Sequence, residues 1–463
     1  RKYVTVDKKG TPILYVKLQK ALYGLMRASL LFYRKLRKEL EDYGFEINPY
    51  DPCVANKMTT SGKQMTLVWH VDDLMASCED DFELTKLSCY LAKIYGPKLT
   101  MHTGRKHDYL GVDMEFRQDG TLGVSMIPYL KNVIAEFPEL ISGKSPTPAA
   151  GHLFKIRDTK DTKPLEEERA LAFHHTVAQL LFMATRARRD IQTAVAFLTT
   201  RVKNPDEDDW GKLKRVLKYL NGTKYLKLNL SVENLGVLKW FVGGSHNVHW
   251  DCKGHGGAMF TMGKGATSSY SRKVKLNTRS STETELVTAD MYMPEMLWML
   301  YFIQSQGYKA ECVGLHQDNI STQLLMKNGR FSSGKKTKHI KAKFFFIKDK
   351  VDGGEMRILD CPTEEMWADV LTKPLQGMAF KRMRAELMNC SVEYQEDEDE
   401  DEEQETSQPL RPLPKGEECS LQAPQECVGN IGMSGSGGVT DRRIGVSRLL
   451  KRSRPPAQRR GRE

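Results

Sequence analysis

Two adjacent aspartates, Asp72 and Asp73, stand between apolar runs in the stretch LVWHVDDLMAS. The residues before them alternate, with Met65, Leu67 and Trp69 on one face, which is strand periodicity. The residues after them are apolar again, so the pair falls where a strand turns back. One reading is a solvated turn, because Asp is common in turns. The other is a metal site. Mg²⁺ takes oxygen ligands in near-octahedral geometry and keeps several waters. Two such ions about 3.5–4 Å apart clamp the attacking and leaving oxygens of phosphoryl transfer. That chemistry needs carboxylates fixed on rigid strands rather than loose loops. A second group with chemical meaning is the basic face Lys212, Lys214, Arg215 and Lys218 in DEDDWGKLKRVLKYLNGT. It is either solvated surface or a stripe facing phosphates.

The elements that would position these groups can be read from periodicity. ASLLFYRKLRKELEDYGF has Leu31, Phe32, Leu36 and Leu40 at helical spacing. DFELTKLSCYLAKIYG is helical and stops at Gly96, a capping signal. DYLGVDMEFRQDGTLGVSM reads as strand, Asp119-Gly120 turn and strand. The Pro-, Gly- and Ser-rich stretch 142–151 reads as a linker or long loop, and the chain after it is mostly helical. Residues 236–390 form a distinct pattern, β-β-β-α-β-α-β-α, which specifies a mixed sheet with helices on its faces. Its long helix, STETELVTADMYMPEMLWMLYFIQSQG, carries two capping-box pairs, Ser280 with Glu283 and Thr282 with Glu285. TEEMWADVLTKPL reads as its last helix. Residues 393–463 hold an acidic run at 396–405, a Gly/Ser-rich stretch and an Arg-rich end, and read as disordered. The Arg cluster is a nuclear address, a nucleic-acid tether or read-through of flanking sequence.

Composition narrows the function classes. A net charge of +11 with a pI near 9.0 fits an anionic partner such as nucleic acid, or simply a Lys-rich surface. The nine cysteines show no CxxC and no paired spacing, which argues against a disulfide framework or zinc site. No apolar run approaches the roughly 20 residues of a membrane span. The chain starts at Arg1 rather than Met, as a piece of something longer would.

Set in order, the motifs resemble the reverse transcriptase of copia-type (Ty1-like) LTR retrotransposons. Lys20-Ala21-Leu22-Tyr23-Gly24-Leu25, followed by Phe32-Tyr33, matches the family's Lys-Ala-Leu-Tyr-Gly-Leu segment and aromatic pair. His70-Val71-Asp72-Asp73 matches its Tyr-Val-Asp-Asp hairpin, and Tyr109-Leu110-Gly111-Val112 its FLGI-like strand. DDWGKLKRVLKYLNGT, SRKVKLNTRSSTETELVTA, HQDN, TKHI and WADVLTKPLQG continue the likeness in family order, so that it spans about 15–390.

The resemblance implies an α+β architecture: a partial palm (1–118), a mostly helical thumb and connection (119–235), an RNase H-like α/β domain with a mixed five-stranded sheet (236–392), and the disordered tail (393–463). It implies an RNA-directed DNA polymerase with ribonuclease H activity, using Mg²⁺ or Mn²⁺ and acting on an RNA template, a DNA primer and RNA–DNA hybrid. A cytoplasmic particle, the nucleus or both would house it, with DNA integration as the wider process. Asp72 and Asp73 would be catalytic metal ligands, and Tyr23 and Gly24 would lie against template and nucleotide. Glu285, Asp318 and Asp369 would be three of four nuclease carboxylates and metal ligands. The sequence pattern agrees, placing Glu285 early in a helix, Asp318 at a strand end and Asp369 on the final helix.

Four departures bear on activity. The family's third polymerase aspartate lies on a strand before the point where this chain begins, so the expectation is a palm sheet without a central member and a chain that does not extend primers. Gly243 stands where the family has the first nuclease aspartate, with Gly244 after it. Asp251, in the following loop, is too far along the chain to replace it. His70 replaces Tyr, and Arg189 replaces a Pro. A non-catalytic nucleic-acid-binding remnant and a host-recruited interaction protein using the charged tails are the alternatives.

Overall fold

The structure is a computed structural model that describes residues 4–14, 25–96, 99–157, 161–332, 340, 342–393 and 446–452. Tyr23 and Gly24 lie outside the described residues. The contacts divide the chain into two compact units, residues 1–103 with 446–463, and residues 104–445.

The first unit opens with a small hairpin, β1 (Val4–Val6) and β2 (Pro12–Leu14). Helix α1 (Met26–Asp42) follows, then strands β3 (Glu46–Ile47), β4 (Val54–Met58), β5 (Gln64–His70) and β6 (Asp73–Cys78). Helix α2 (Asp81–Tyr95) and strand β7 (Leu99–Gly104) complete the run. Met65, Leu67 and Trp69 of β5 are buried with Leu36 and Leu40 of α1 and Leu84, Leu87 and Leu91 of α2. The expected face of α1 is thus shifted: Leu31 is exposed, because the helix covers the sheet with its second half. Helix α2 starts on Asp80, whose side chain accepts from the N–H groups of Phe82 and Glu83, and ends on Gly96 at φ +59°. A positive φ is open to Gly at no steric cost.

The sheet order of this unit is β3-β4-β5-β6, then a strand from the far end of the sequence, Val446–Arg452, then β7. This tail strand corrects the reading of 393–463 as disordered throughout, since seven of those residues form a strand and six of the seven pair antiparallel with β6.

The second unit begins with strands β8 (Lys106–Tyr109), β9 (Val112–Phe116) and β10 (Leu122–Ser125). Between β9 and β10 the Asp119 carboxylate accepts from Thr121, and Gly120 has φ +84°. Helices α3 (Ile127–Glu136), α4 (Glu167–Ala184), α5 (Gln192–Thr199) and α6 (Glu207–Asn221) follow, then β11 (Leu228–Val232). Next come β12 (Leu238–Ser245), β13 (His255–Thr261), β14 (Gly263–Lys264) and β15 (Ser268–Lys273). Helix α7 (Ser281–Ser305), β16 (Val313–Gln317), α8 (Ile320–Asn328), α9 (Phe346–Asp352), β17 (Met356–Asp360) and α10 (Gly377–Met388) finish it.

A five-stranded mixed sheet runs β15-β13-β12-β16-β17. Its first three strands are antiparallel, and β12-β16-β17 are parallel. Trp240 and Val242 of β12 pack under α7 with Leu286, Tyr292 and Met296. Phe241, on the opposite face, joins a larger core made by α4, α5, α6 and α10. That core draws on both sides of the expected boundary at 235/236, joining residues from Val124 to Met388, while the cluster under α7 stays separate from it. The stretch 142–151 belongs to it as well. Ala149 is buried, and the Thr147 hydroxyl donates to the Ala149 carbonyl and meets the Gln376 side chain. A free linker would not be held this way.

Candidate active sites

The Asp72–Asp73 turn is built as the sequence suggests. His70 pairs with Asp73 across β5 and β6, leaving a two-residue loop of Val71 and Asp72. Val71 has φ +56°, while Asp72 stays at negative φ. Positive φ at the first loop position only is the pattern of a type II′ turn, which favours Gly there. A β-branched residue at positive φ is a true outlier, and such strain of order 1–3 kcal/mol persists where the surroundings impose it, often at functional sites. Neither aspartate has an ion-pair partner among the described side chains, and both are half-buried. Trp69, stacked against Tyr33, anchors the strand leading into the turn. The donor set is two hard carboxylates on a rigid hairpin, which suits Mg²⁺ or Mn²⁺ with waters filling the rest of the shell.

The second group lies at the C-terminal edge of the five-stranded sheet. Parallel pairing of β12 with β16 runs through Phe241 opposite His316, and the Gln317 amide donates to the Val242 carbonyl. Continued, this register sets Gly243 beside Asp318. Glu285 sits early in α7. Its carboxylate accepts from Ser281 Oγ at 3.0 Å and Thr322 Oγ1 at 3.1 Å. Glu285 therefore does not serve as the second capping residue: Ser280 caps the helix through the Glu283 N–H, and Glu285 turns inward. Burial pushes its carboxyl up to about 7, with the Asp318 charge adding to the rise. Asp369 is also raised by burial, opposed by Lys373 and reinforced by Asp318. Asp318 is therefore the link between the other two, and it accepts from Thr363 Oγ1 at 3.4 Å.

Asp369 lies not on a helix but in the 3-10 turn Trp367–Leu371, ahead of α10. The turn is held to β12 by Trp367 against Phe241, ring centroids 4.4 Å apart. A Cβ placed on Gly243 would stand 3.8 Å from Asp369 Oδ1 and 3.7 Å from the Ala368 methyl. A Cβ at 243 would thus face Asp369 at ordinary van der Waals distance. Gly244, by contrast, lets α7 approach, since a Cβ there would come within 3.0 Å of Thr288 Oγ1.

As it stands this group does not fit a two-metal clamp. Lys373 pairs with Asp369 at 2.8 Å, hydroxyls satisfy Glu285, and position 243 offers no oxygen. Among the described residues no three His, Cys, Asp or Glu side chains converge as a metal-ligand set. Asp251 is held by Lys273 at 2.8 Å and Lys253 at 3.2 Å. The sequence signal for the Lys373 pairing is its i,i+4 spacing from Asp369.

The basic residues of α6 prove to be committed within the unit. Lys212 is buried, donates to the Lys155 carbonyl and pairs with Asp208 at 2.9 Å. Lys214 pairs with Glu139 at 2.6 Å, and Arg215 donates to Thr147 Oγ1. Of the four, only the half-buried Lys218 has neither an ion pair nor a side-chain hydrogen bond among the described side chains. An open phosphate-facing stripe of all four is corrected to this one residue beside a set of internal ties. Arg189, where the resembled family has Pro, is half-buried and donates to the carbonyls of Thr185 and Thr267. Its neighbours Arg188 and Asp190 form a buried ion pair at 2.7 Å, to which the Tyr219 hydroxyl donates.

The first unit joins a mixed α and β fold to an Asp-Asp hairpin, and comparison with known proteins indicates the class. Residues 4–148 match the family described as reverse transcriptase (RNA-dependent DNA polymerase). That match and the relatives below support a reverse-transcriptase region similar to that of copia-type LTR retrotransposon polyproteins. It is 28% identical over 377 residues to the retrovirus-related Pol polyprotein of transposon TNT 1-94 from Nicotiana tabacum, covering 80% of this chain and 28% of that protein. It is 28% identical over 388 residues to the corresponding polyprotein of transposon RE1 from Arabidopsis thaliana, covering 82% of this chain and 25% of that one. The chain thus spans about a quarter of the length of these relatives. A Ty5-1 transposon protein of Saccharomyces cerevisiae is 25% identical over 291 residues, 60% of this chain and 89% of its own length. A foamy virus protease–reverse transcriptase structure aligns with 80% of this chain and 41% of its own at 12% identity and a TM-score of 0.23, too loose a match to argue from.

Proposed function

We propose that the chain is a fragment of a retrotransposon RNA-directed DNA polymerase with an RNase H-like second unit, impaired in its chemistry. The observation that carries the polymerase half is the strained two-residue turn that presents Asp72 and Asp73 from paired strands. A divalent ion held there, Mg²⁺ or Mn²⁺, would neutralise phosphate charge on a primer and an incoming nucleotide. The chain's own residues fix the geometry: Trp69 and the β5–β6 ladder hold both carboxylates at the sheet edge. The partners in this reading are an RNA template, a DNA primer and RNA–DNA hybrid. No described helix is long and apolar enough to cross a membrane. A cytoplasmic particle or the nucleus is the proposed location.

The nuclease half is supported by the parallel strands β12 and β16, whose register sets Gly243 beside Asp318, by the turn Trp367–Leu371 that carries Asp369 against β12, and by Glu285 near enough to feel the Asp318 charge. Its impairment follows from Gly243 and from Lys373 on Asp369. The same two observations favour the second reading, a nucleic-acid-binding remnant without catalysis, for this unit.

The test is binding of a DNA-primed RNA template by fluorescence anisotropy, with and without Mg²⁺. Mg²⁺ should tighten binding to the wild-type chain several-fold beyond its effect on Asp72→Asn. An equal Mg²⁺ response in the two proteins would remove the support for a metal at the turn.

A further inference from the structure

The β6 edge and the tail strand answer each other. Strand β6 reads DLMASC and carries no Lys, Arg or Pro after Asp73. Leu74, Ala76 and Cys78 are buried at 4%, 0% and 3% exposure. Edge strands of natural proteins are protected by charge, Pro, bulges or a cover, because their free N–H and C=O groups recruit other strands. Beyond Asp73, strand β6 has none of the first three.

Its hydrogen-bonding directions follow from the hairpin. In a two-residue loop the closing pair, here His70 and Asp73, exchanges both bonds. Directions alternate along the strand, so Met75 and Ser77 also face β5. The N–H groups of Leu74, Ala76 and Cys78 then point to the other side. Trp69 N–H donating to the Cys53 carbonyl confirms the same alternation on β5. The groups that face away from β5 are therefore met by the tail strand, in the register Leu450 opposite Leu74, Arg448 opposite Ala76 and Val446 opposite Cys78. The same register sets Lys451 opposite Asp73.

We propose that the β6 edge is a strand-accepting slot and that the chain closes it with its own segment Val446–Arg452. The segment completes the sheet between β6 and β7 by main-chain pairing, the mode by which extended peptides add to an open sheet edge. It ends alongside Asp73, so it also excludes any other strand from the position flanking the Asp72–Asp73 turn. Being tethered, it acts at an effective concentration that a free peptide reaches only at high dose. This inference stands on the pairing alone and holds whether or not the turn binds metal.

The experiment is residue-resolved amide hydrogen exchange on the full chain, on its Arg448→Pro variant, and on the chain ended after Gly445. Proline at 448 removes the N–H that pairs with β6. The amides of Leu74, Ala76 and Cys78 should be protected in the full chain and exchange at least roughly tenfold faster in Arg448→Pro, as expected of a locally opened edge. The amides of His70 and Asp73, bonded to each other within the hairpin, serve as the control for an intact unit. If the three amides exchange alike in the full chain and the variant while the control stays protected, the slot is not filled by this segment. If the control is lost, the shortened chain decides. Free peptide VSRLLKR in excess should restore protection at Leu74, Ala76 and Cys78, and failure to restore it overturns the proposal.

Discussion

Glu285→Gln should make the second unit more stable at high pH, and the size of the effect can be worked from its surroundings. The Glu285 carboxyl is buried beside Asp318 and holds its proton until about pH 7, against an ordinary value of 4.5. A raised pKa means that the unfolded chain releases the proton first. Its contribution to stability is therefore complete below about pH 4.5 and is lost as pH rises through about 7. The span of about 2.5 units corresponds to about 3 kcal/mol at pH 8.5, at about 1.4 kcal/mol per unit, and to about 1 kcal/mol at pH 5. Gln carries no charge to desolvate. It keeps one acceptor for Ser281 or Thr322 and disturbs the other bond, at a loss of about 1 kcal/mol. The variant should thus be near neutral at pH 5 and about 2 kcal/mol more stable at pH 8.5. Urea unfolding followed by the fluorescence of buried Trp210 and Trp240 reads this directly. A wild-type and variant difference that does not change between pH 5 and 8.5 would refute the assignment of Glu285 as a buried, late-titrating acid.

Other outcomes follow from the same geometry. Val71→Gly should leave the first unit as stable or stabilise it by up to about 1 kcal/mol, since Gly relaxes a first loop position at φ +56°; a clear loss in thermal melting would show that no strain is stored there. Arg188→Met should lower stability by about 3–5 kcal/mol by stranding the buried Asp190 carboxylate, read as a drop in the urea midpoint. Binding to RNA–DNA hybrid should weaken steeply with salt for a chain of net charge +11, with a slope of roughly −0.9 per phosphate neutralised on duplex. Affinity that is flat from low to high salt would contradict an electrostatic footprint.

Some features of the fold are plain in the sequence because they are local. The Asp72–Asp73 hairpin follows from strict alternation at Met65, Leu67 and Trp69, and the end of α2 from Gly96. The mixed sheet of the second unit follows from short apolar runs of strand length separated by capped helices. What the sequence hides is set by distant partners. Charge on α6 reads as a basic face, but Glu139 and Lys155, far away in the chain, take up Lys214 and Lys212. TEEMWADVLTKPL has helical spacing, yet its Met366 leaves the helical region with ψ +80°, and Phe241 pins Trp367 instead. The tail strand has no alternation to betray it, and its partner β6 lies at the other end of the sequence. The candidate nuclease carboxylates were nameable in advance, but the Lys373 tie on Asp369 and the hydroxyl cage around Glu285 needed the packing.

The most direct test of the central claim, that the second unit is a nuclease centre short of one ligand, is cleavage of RNA–DNA hybrid by the full chain before and after Gly243→Asp. The backbone at 243 accepts a side chain, and a Cβ there lies 3.8 Å from Asp369 Oδ1. The added carboxylate would compete for Lys373 and supply the missing oxygen beside Asp318. Each metal contributes several kcal/mol to the transition state, and about 1.4 kcal/mol is tenfold in rate. The prediction is Mg²⁺-dependent cleavage that is weak in the wild-type chain and rises about a thousandfold in the variant. Strong cleavage by the unmodified chain, or no gain in a folded Gly243→Asp protein, would contradict the account.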